Sequence, residues 1–243
     1  IAAFFADRKD QYGKVFTKTL LNRDVTSANL RAAKAWLQQS QTDDRVVVFV
    51  SRHGLLDKNL DYYLATYDVD FSKPDTKGLP FDALEALLDS IPPRYRLILM
   101  DACHSGELDK ENTTVSETQV KTDGHVRFRS FSTKVQTKQI GLQNSFELMK
   151  EMFVDLRRSS GATVISSAGG AEYALEGDAW KNGVFTYSLL DGLRNKDADA
   201  NKDGSVMISE LQNYLNNKVS ELTKGRQKPT FRAENVANDW RIW

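Results

Sequence analysis

Arg96–Gly106, with the sequence Arg-Leu-Ile-Leu-Met-Asp-Ala-Cys-His-Ser-Gly, is the stretch around which the rest of the chain can be organised. Its apolar run Leu97–Met100 predicts a short strand that is buried on both faces of a parallel sheet. The strand leads into Asp101 and Cys103, and Cys103 is the only cysteine of the chain. In open α/β sheets, ligands bind beyond the carboxyl ends of the strands. Cys103 is therefore either a reactive group at such an end or a small buried residue.

A second apolar run, Val46–Val50, predicts another buried strand, and it leads into Ser-Arg-His-Gly at 51–54. Each of the two predicted strands is thus followed closely by a residue of a type common in catalysis, His53 after the first and Cys103 after the second. His53 precedes Cys103 by 50 residues. A cysteine becomes a strong nucleophile when a nearby base can accept its proton. The pattern therefore favours a dyad of His53 and Cys103 over a cysteine that only packs.

The two strand ends carry motifs that resemble a known family. Asp-Ala-Cys-His-Ser-Gly at 101–106, with Ser-x-His-Gly upstream, is similar to the caspase and metacaspase superfamily of cysteine peptidases. The form of the cysteine motif is closer to metacaspases and their bacterial relatives than to animal caspases, and the spacing from histidine to cysteine agrees. One position departs, because the family has Ser-Gly-His-Gly where this chain has Arg52.

Strands and helices alternate along the chain, which indicates an α/β fold with a largely parallel sheet. The predicted strands are 14–21, 45–50, 62–67, 96–100 and 162–166. The predicted helices are 27–39, which follows the N-cap Thr26, a helix that opens at 78–80, and the helices 145–158, 183–193 and 209–222. A closing extended segment is predicted for 227–243.

The resemblance implies a caspase-like fold, in which helices flank a mostly parallel six-stranded sheet. The chain would form a single catalytic domain over 1–243, with a large-subunit-like part at 1–106, a linker loop at 107–142 and a small-subunit-like part at 143–243. The linker is rich in Thr, Ser, Lys, Gln and Glu, and loops of this length are usually functional or disordered. We do not find the family's first strand, which should precede Ile1, so part of the S1 pocket is expected to be missing.

The composition argues against several classes of protein. Lys plus Arg and Asp plus Glu number 33 each, so the formal net charge is zero, which argues against nucleic-acid and membrane-surface partners. No apolar run approaches the roughly 20 residues of a membrane span. A single cysteine cannot build a disulfide scaffold and fits a reducing compartment. No signal peptide is visible, and we therefore expect a cytoplasmic protein.

The resemblance also assigns catalytic roles to individual residues. His53 and Cys103 would form the dyad, and the backbone N–H groups of Gly54 and Cys103 would form the oxyanion hole. His104 and His125 are not assigned to the chemistry, because His104 points away from the Cys103 side of the strand and His125 lies in the polar linker.

Substrate selection is assigned to acidic residues near the dyad. Asp101 lies two residues before Cys103, on the same side of the strand, and in metacaspases the matching aspartate pairs with Arg or Lys of the substrate. Ser51 occupies the matching position on the other strand. Glu176 is a second acidic candidate, in a segment that resembles the wall of the same pocket. The implied specificity is for Arg or Lys at P1.

A different motif lies near the C-terminus. The loop 199–210, Asp-Ala-Asn-Lys-Asp-Gly-Ser-Val-Met-Ile-Ser-Glu, fits the EF-hand calcium template at its anchor positions and lies between two predicted helices. The same residues also make a polar turn and N-cap without metal, as similar segments do in bacterial caspase relatives. Ca²⁺ is therefore a candidate ligand, although the dyad chemistry requires no cofactor. The candidate calcium ligands are Asp199, Asn201, Asp203, Ser205 and Glu210.

Three functions follow from these patterns. The first is a cysteine endopeptidase that cleaves protein or peptide substrates after Arg or Lys and processes itself within 107–142. The second is a catalytically silent caspase-fold module that acts through binding, with Arg52 as the mark of lost activity. The third is a calcium sensor on an α/β scaffold. We favour the first, because both dyad positions and Asp101 are present together. Fused or associated regulatory domains are expected partners.

Overall fold

The computed structural model describes residues 1–8, 11–57, 59, 61–104, 126–128, 161–167, 175–177, 183–233 and 239–243, and for 56, 103, 104, 126–128 and 175–177 it describes the backbone only. The strands in chain order are β1 (Arg45–Leu56), β2 (Tyr62–Leu64), β3 (Leu79–Pro80), β4 (Tyr95–His104), β5 (Val126–Phe128), β6 (Thr163–Ser166), β7 (Leu175–Gly177) and β8 (Thr230–Arg232). The helices are α1 (Ala2–Ala6), α2 (Ser27–Leu37), α3 (Pro74–Lys77), α4 (Phe81–Leu88), α5 (Val184–Arg194) and α6 (Ile208–Leu222), with a 3-10 turn at Asn22–Asp24.

The two apolar runs of the sequence lie side by side at the centre of a six-stranded sheet. Its order is β3-β2-β1-β4-β6-β8, and β1, β4 and β6 are parallel. β8 joins antiparallel at one edge, and the hairpin of β2 and β3 joins antiparallel to the end of β1. Most paired residues lie in the two parallel ladders, and helices pack on both faces. The predicted α/β architecture is confirmed.

The side chains of β4 alternate between two cores. Ile98 and Met100 pack with residues of α2 and α4, whereas Leu97 and Leu99 pack with residues of α5 and α6. All four side chains are completely buried. Because both faces of the sheet are covered, β4 requires apolar residues at every position, and its sequence reads as a continuous run rather than an alternating one.

The C-terminal residues close the second core. Trp240, Ile242 and Trp243 are buried there, and the Trp243 ring stacks on Phe4 of α1 with ring centroids 4.7 Å apart. The Val206 N–H donates to the Trp243 carbonyl at 2.7 Å. One aromatic cluster therefore holds α1 and the last four residues against the same face of the sheet.

The predicted strand 14–21 is wrong. The segment belongs to no ladder, and its residues Phe16 and Leu21 are exposed. An alternation of apolar and polar residues indicates an extended chain, but a strand also needs a partner edge. None of the strands that the structure describes pairs with this segment, so its alternation alone does not make it a strand.

β1 has an open edge, by which we mean the side of residues 45–52 that faces away from β4. The hairpin pairs only with residues 54–56, and no described residue forms a backbone hydrogen bond to 45–52 on this side. Val47–Val50 are consequently only half-buried, although β1 is the strand next to the centre of the sheet. Among the described residues, the open edge thus combines peptide groups that pair with no strand with accessible apolar side chains.

The strands that lead to the two motifs are longer than predicted. The ladder between β1 and β4 continues past the apolar runs to Gly54 and His104, so the candidate dyad lies inside the sheet rather than beyond it. The polar residues do not end the strands, because each strand continues to supply a backbone partner to the other. β2, in contrast, is shorter than the predicted 62–67 and ends at Leu64.

The helix predicted to open at 78–80 begins only at Phe81, because Leu79–Pro80 form β3, and α2 ends at Leu37, two residues before the predicted end. The remaining predicted elements agree with the structure where it describes them. The Thr26 hydroxyl accepts a hydrogen bond from the Asn29 N–H at 3.2 Å, which confirms the N-cap of α2. The predicted strand 162–166 and the helices 183–193 and 209–222 correspond to β6, α5 and α6 with shifts of one residue at their ends.

The linker and the helix after it are described only in part. The predicted helix 145–158 lies outside the described residues, and so does the linker 107–142 except for β5. β5 pairs antiparallel with β7 in a separate two-stranded sheet, so the linker is not a loop throughout. None of the helices that the structure describes is long and apolar enough to cross a membrane.

Candidate active site

The parallel register of β1 and β4 brings the two motifs together. His53 and Cys103 are Cα partners in this ladder, and two residues earlier Ser51 and Asp101 are partners as well. Neighbouring strands lie roughly 4.8 Å apart, so each pair is adjacent in space. For Cys103 the structure describes only the backbone, so the pairing with His53 is a pairing of Cα atoms. The sequence prediction that the two strand ends meet is confirmed at the level of the register.

His53 is held from two sides. Its carbonyl accepts a hydrogen bond from the Ala65 N–H at 2.8 Å, which ties this point of β1 to the chain that follows β2. Its imidazole is half-buried with Nδ1 inside the protein, and the ring centroid lies 6.5 Å from that of Phe71 at an interplanar angle of 59°. Packing against an aromatic ring restricts the orientation of the imidazole, which general base catalysis requires.

Gly54, the residue after the candidate base, occupies a place where no side chain fits. A Cβ on this residue would lie 2.5 Å from Cζ and 2.7 Å from Cε2 of Tyr62. The Tyr62 ring is buried and packs edge-on against Phe81 at 6.1 Å. The close approach of the ring therefore requires glycine and fixes the course of the backbone directly beside the candidate dyad.

Asp101 lies under the first turn of α5. Its side chain is 1% exposed, and the Thr186 hydroxyl donates a hydrogen bond to its Oδ2. A Cβ on Gly183, the residue that precedes α5, would lie 2.7 Å from Oδ2 and 3.0 Å from Oδ1. The N-terminus of a helix favours a nearby negative charge, so this arrangement suits a carboxylate. Ser51, the partner of Asp101 in the ladder, is exposed.

Glu176 lies in the separate sheet rather than in the ladder of the dyad. It belongs to β7, and its Cα partner is Arg127 of β5. β7 contacts α5, whose first turn contacts Asp101. The two acidic candidates are therefore neighbours of one helix but are not brought together by one pair of strands. The role of Glu176 in substrate binding stays a prediction.

Arg52 is the position that departs from the family motif. Its Cα partner is Ala102, which belongs to the core on the α2 and α4 face. Because side chains alternate along a strand, Arg52 points to the face opposite that of His53. Burial lowers the pKa of the Arg52 guanidinium below its ordinary value. The substitution thus changes the far face of β1, not the face that carries the imidazole.

Three contacts of the site were not found from the sequence. Phe71 against His53 comes from the segment between β2 and α3, for which the sequence made no prediction. Tyr62 against Gly54 comes from a predicted strand that was given no role in the site. Thr186 on Asp101 comes from a segment that reads as a helix start. The Gly-Val-Phe-Thr sequence at 183–186 is the available signal, because a glycine before a helix can mark a close approach of the backbone.

The oxygens of the candidate calcium loop accept hydrogen bonds from the loop itself. Asp199 Oδ2 accepts from the Gly204 N–H at 2.8 Å, and Glu210 accepts from the N–H groups of Ala200 at 3.1 Å and Met207 at 2.9 Å. Glu210 thereby caps the start of α6. Within the described ranges, no group of three or more His, Cys, Asp or Glu side chains is arranged to hold a metal ion. Calcium binding by Asp199, Asn201, Asp203, Ser205 and Glu210 stays a prediction, and calorimetry with and without a chelator is its direct test.

Known proteins place this geometry in context. The model of the caspase domain family matches residues 8–239 of the chain. The crystal structure of protein GSU0716 from Geobacter sulfurreducens is similar, with a TM-score of 0.56 and 18% sequence identity over 97% of this chain and 81% of that chain. At this identity the likeness concerns the fold alone. No curated protein matches the chain.

Proposed function

Because the chain belongs to the caspase domain family of cysteine peptidases, we propose that it is an endopeptidase with a dyad of His53 and Cys103 and that it cleaves after Arg or Lys. The observation that carries the proposal is the register of β1 and β4, in which His53 and Cys103 are direct Cα partners. The proposed substrates are proteins or peptides, with fused or associated regulatory domains as further partners.

The chemistry begins at the Cys103 thiol. A free thiol with a pKa near 8.5 is only about a few per cent ionised at neutral pH, so the nucleophile needs a base. His53 accepts the thiol proton while the Sγ–C bond forms at the scissile carbonyl. The imidazolium then donates that proton to the leaving amine as the C–N bond breaks. A water molecule, deprotonated by His53, hydrolyses the thioester and restores the thiol.

The negative oxygen of the tetrahedral intermediate is assigned to the backbone N–H groups of Gly54 and Cys103. Such donors accelerate the reaction because they are oriented before the charge develops. The support for Gly54 is its fixed backbone, which the Tyr62 ring holds at a distance that excludes any side chain.

Selection of basic P1 residues is assigned to Asp101. Its carboxylate is nearly inaccessible to water, and charge pairs are screened much less in such surroundings than at an exposed surface. A guanidinium or ammonium group that reaches the carboxylate is therefore strongly preferred over a neutral or acidic group. Ser51 is exposed beside Asp101 in the ladder, and we assign the approach of the P1 side chain to that side.

A catalytically silent binding module is the alternative. Arg52 was the reason to consider it, yet Arg52 lies on the face of β1 opposite His53. An arginyl chloromethylketone separates the two functions, because it alkylates an active-site cysteine after docking its basic side chain. The peptidase is expected to take one label on Cys103, to take none as Cys103→Ala and to resist an aspartyl reagent. A folded protein that no such reagent labels would instead support the silent module.

Self-processing is expected within the linker 107–142. A polar loop is where proteolysis concentrates, and this linker contains six basic residues for an enzyme that selects Arg or Lys. Arg127 lies in β5 and is the least suited of them, since a paired strand must open before it can enter an active site. The candidate cleavage sites are Lys110, Lys121, Arg127, Arg129, Lys134 and Lys138.

Mass spectrometry of the purified wild type beside Cys103→Ala measures this processing. The wild type should yield two fragments that remain associated, with cuts at the other five basic residues favoured over Arg127, and the variant should stay intact. An intact linker in a wild type that cleaves added peptides, or equal nicking of both proteins, would exclude self-processing.

A further inference from the structure

We propose that Thr186 is a positioning residue that fixes the Asp101 carboxylate for recognition of the P1 side chain, an inference that rests on the proposed role of Asp101. Thr186 lies in the first turn of α5, and its hydroxyl donates a hydrogen bond to Asp101 Oδ2. Both residues are buried, at 8% and 1% exposure. The contact joins a helix to a strand 85 positions earlier in the chain, two residues before the candidate nucleophile.

Gly183 makes this contact sterically feasible. Residues three apart share a face of a helix turn, so Gly183 and Thr186 approach Asp101 from the same side. A Cβ at 183 would lie 2.7 to 3.2 Å from the three atoms of the carboxyl group, a space that only glycine leaves open. The carboxylate thus lies against the backbone at the start of α5 and is oriented by the hydroxyl one turn later.

The contact with Thr186 determines the orientation of the Asp101 carboxyl group. A buried carboxylate without a directed donor can rotate about its terminal torsion, which has broad energy wells. The Thr186 hydroxyl donates to Oδ2, and this hydrogen bond favours one rotation of the Asp101 carboxyl group. A P1 guanidinium binds best to a carboxylate that is already oriented, because no reorganisation is needed on binding. Thr186 therefore acts on substrate through Asp101.

Ser188 supplies a matched control in the same helix. Its side chain is completely buried, and in the part of the chain that the structure describes its hydroxyl has no hydrogen-bond partner. Ser188→Ala therefore removes a buried hydroxyl from α5 without touching Asp101. A loss of specificity in Thr186→Val but not in Ser188→Ala is then due to the contact with the carboxylate.

The experiment compares kcat/KM for two peptides that differ only at P1, one with arginine and one with its neutral isostere citrulline. Thr186→Val is expected to lower the arginine-to-citrulline ratio by roughly ten- to hundredfold, the range of a hydrogen bond to a charged group. Thr186→Ser should restore most of the ratio, and Ser188→Ala should leave it unchanged. Alkylation of Cys103 by iodoacetamide, which has no P1 side chain, should proceed equally in all variants.

A double mutant tests whether Thr186 acts through Asp101. In an Asp101→Asn background, Thr186→Val should change the ratio no further, since the two residues act as one unit. If Thr186→Val does not fold, Thr186→Ala replaces it, with thermal melts as the check. A wild type that prefers arginine together with an unchanged ratio in the folded Thr186 variant overturns this inference alone. A wild type without preference for arginine overturns the proposed function, and the inference with it.

Discussion

Peptide hydrolysis is expected to fall by roughly four orders of magnitude or more in Cys103→Ala and to a similar extent in His53→Ala. The physical reason is that the base and the nucleophile act as one unit. Without Cys103 no acyl-enzyme can form, and without His53 the thiol is little ionised and the leaving amine receives no proton. The double mutant should therefore be hardly less active than either single mutant.

The measurement is kcat/KM for a fluorogenic peptide with arginine at P1, made on proteins whose thermal melts coincide with that of the wild type. A peptide aldehyde that binds the wild type with one-to-one stoichiometry counts the competent sites. Substantial hydrolysis by either folded single mutant would contradict the dyad. So would losses that simply add in the double mutant, because independent groups rather than a unit would then be acting.

Asp101→Ala is expected to lower kcat/KM for basic P1 residues by roughly two to three orders of magnitude and to affect a neutral P1 far less. Removing one partner of a buried ion pair leaves the other without compensation, which is more costly than losing a surface contact. The residue is nearly inaccessible and touches Thr186, so the variant must also be shown to fold. Asp101→Asn is the matched comparison, because it keeps the shape and removes the charge.

A positional library at P1 measures the specificity without a choice of substrate in advance. The wild type should select Arg and Lys, and both Asp101 variants should flatten that profile. A wild-type profile led by aspartate would refute the assignment of Asp101. A basic preference that survives in Asp101→Asn would transfer the role to another acidic group, with Glu176 as the first candidate.

The position of the candidate dyad could be predicted from the sequence because it follows from local rules. Two continuous apolar runs predict two buried strands, and parallel strands bring their carboxyl ends to one edge. The observed register, with His53 opposite Cys103, agrees with that prediction. No knowledge of distant packing was needed, since the strands themselves carry the two residues.

The residues around the dyad depend on distant packing, and the sequence did not reveal them. Phe71 and Thr186 come from segments with no catalytic pattern, and only the fold shows that they meet His53 and Asp101. The predicted strand 14–21 failed for the same reason, because alternation describes one chain and not the partner it needs. Glu176 was predicted because its segment resembles the wall of the family's pocket, and its strand pairs in another sheet.

The open edge of β1 bears on how this chain behaves at high concentration. Within the part of the chain that the structure describes, the N–H and C=O groups on this side pair with no other strand. Beside accessible valine and phenylalanine side chains they form a template on which another extended chain can add a strand. Natural sheets protect open edges with charged side chains. In the open edge of β1 the only charged residues are Arg45 and Arg52, one at each end. The strand that carries the candidate base His53 is therefore also one on which aggregation is expected to start.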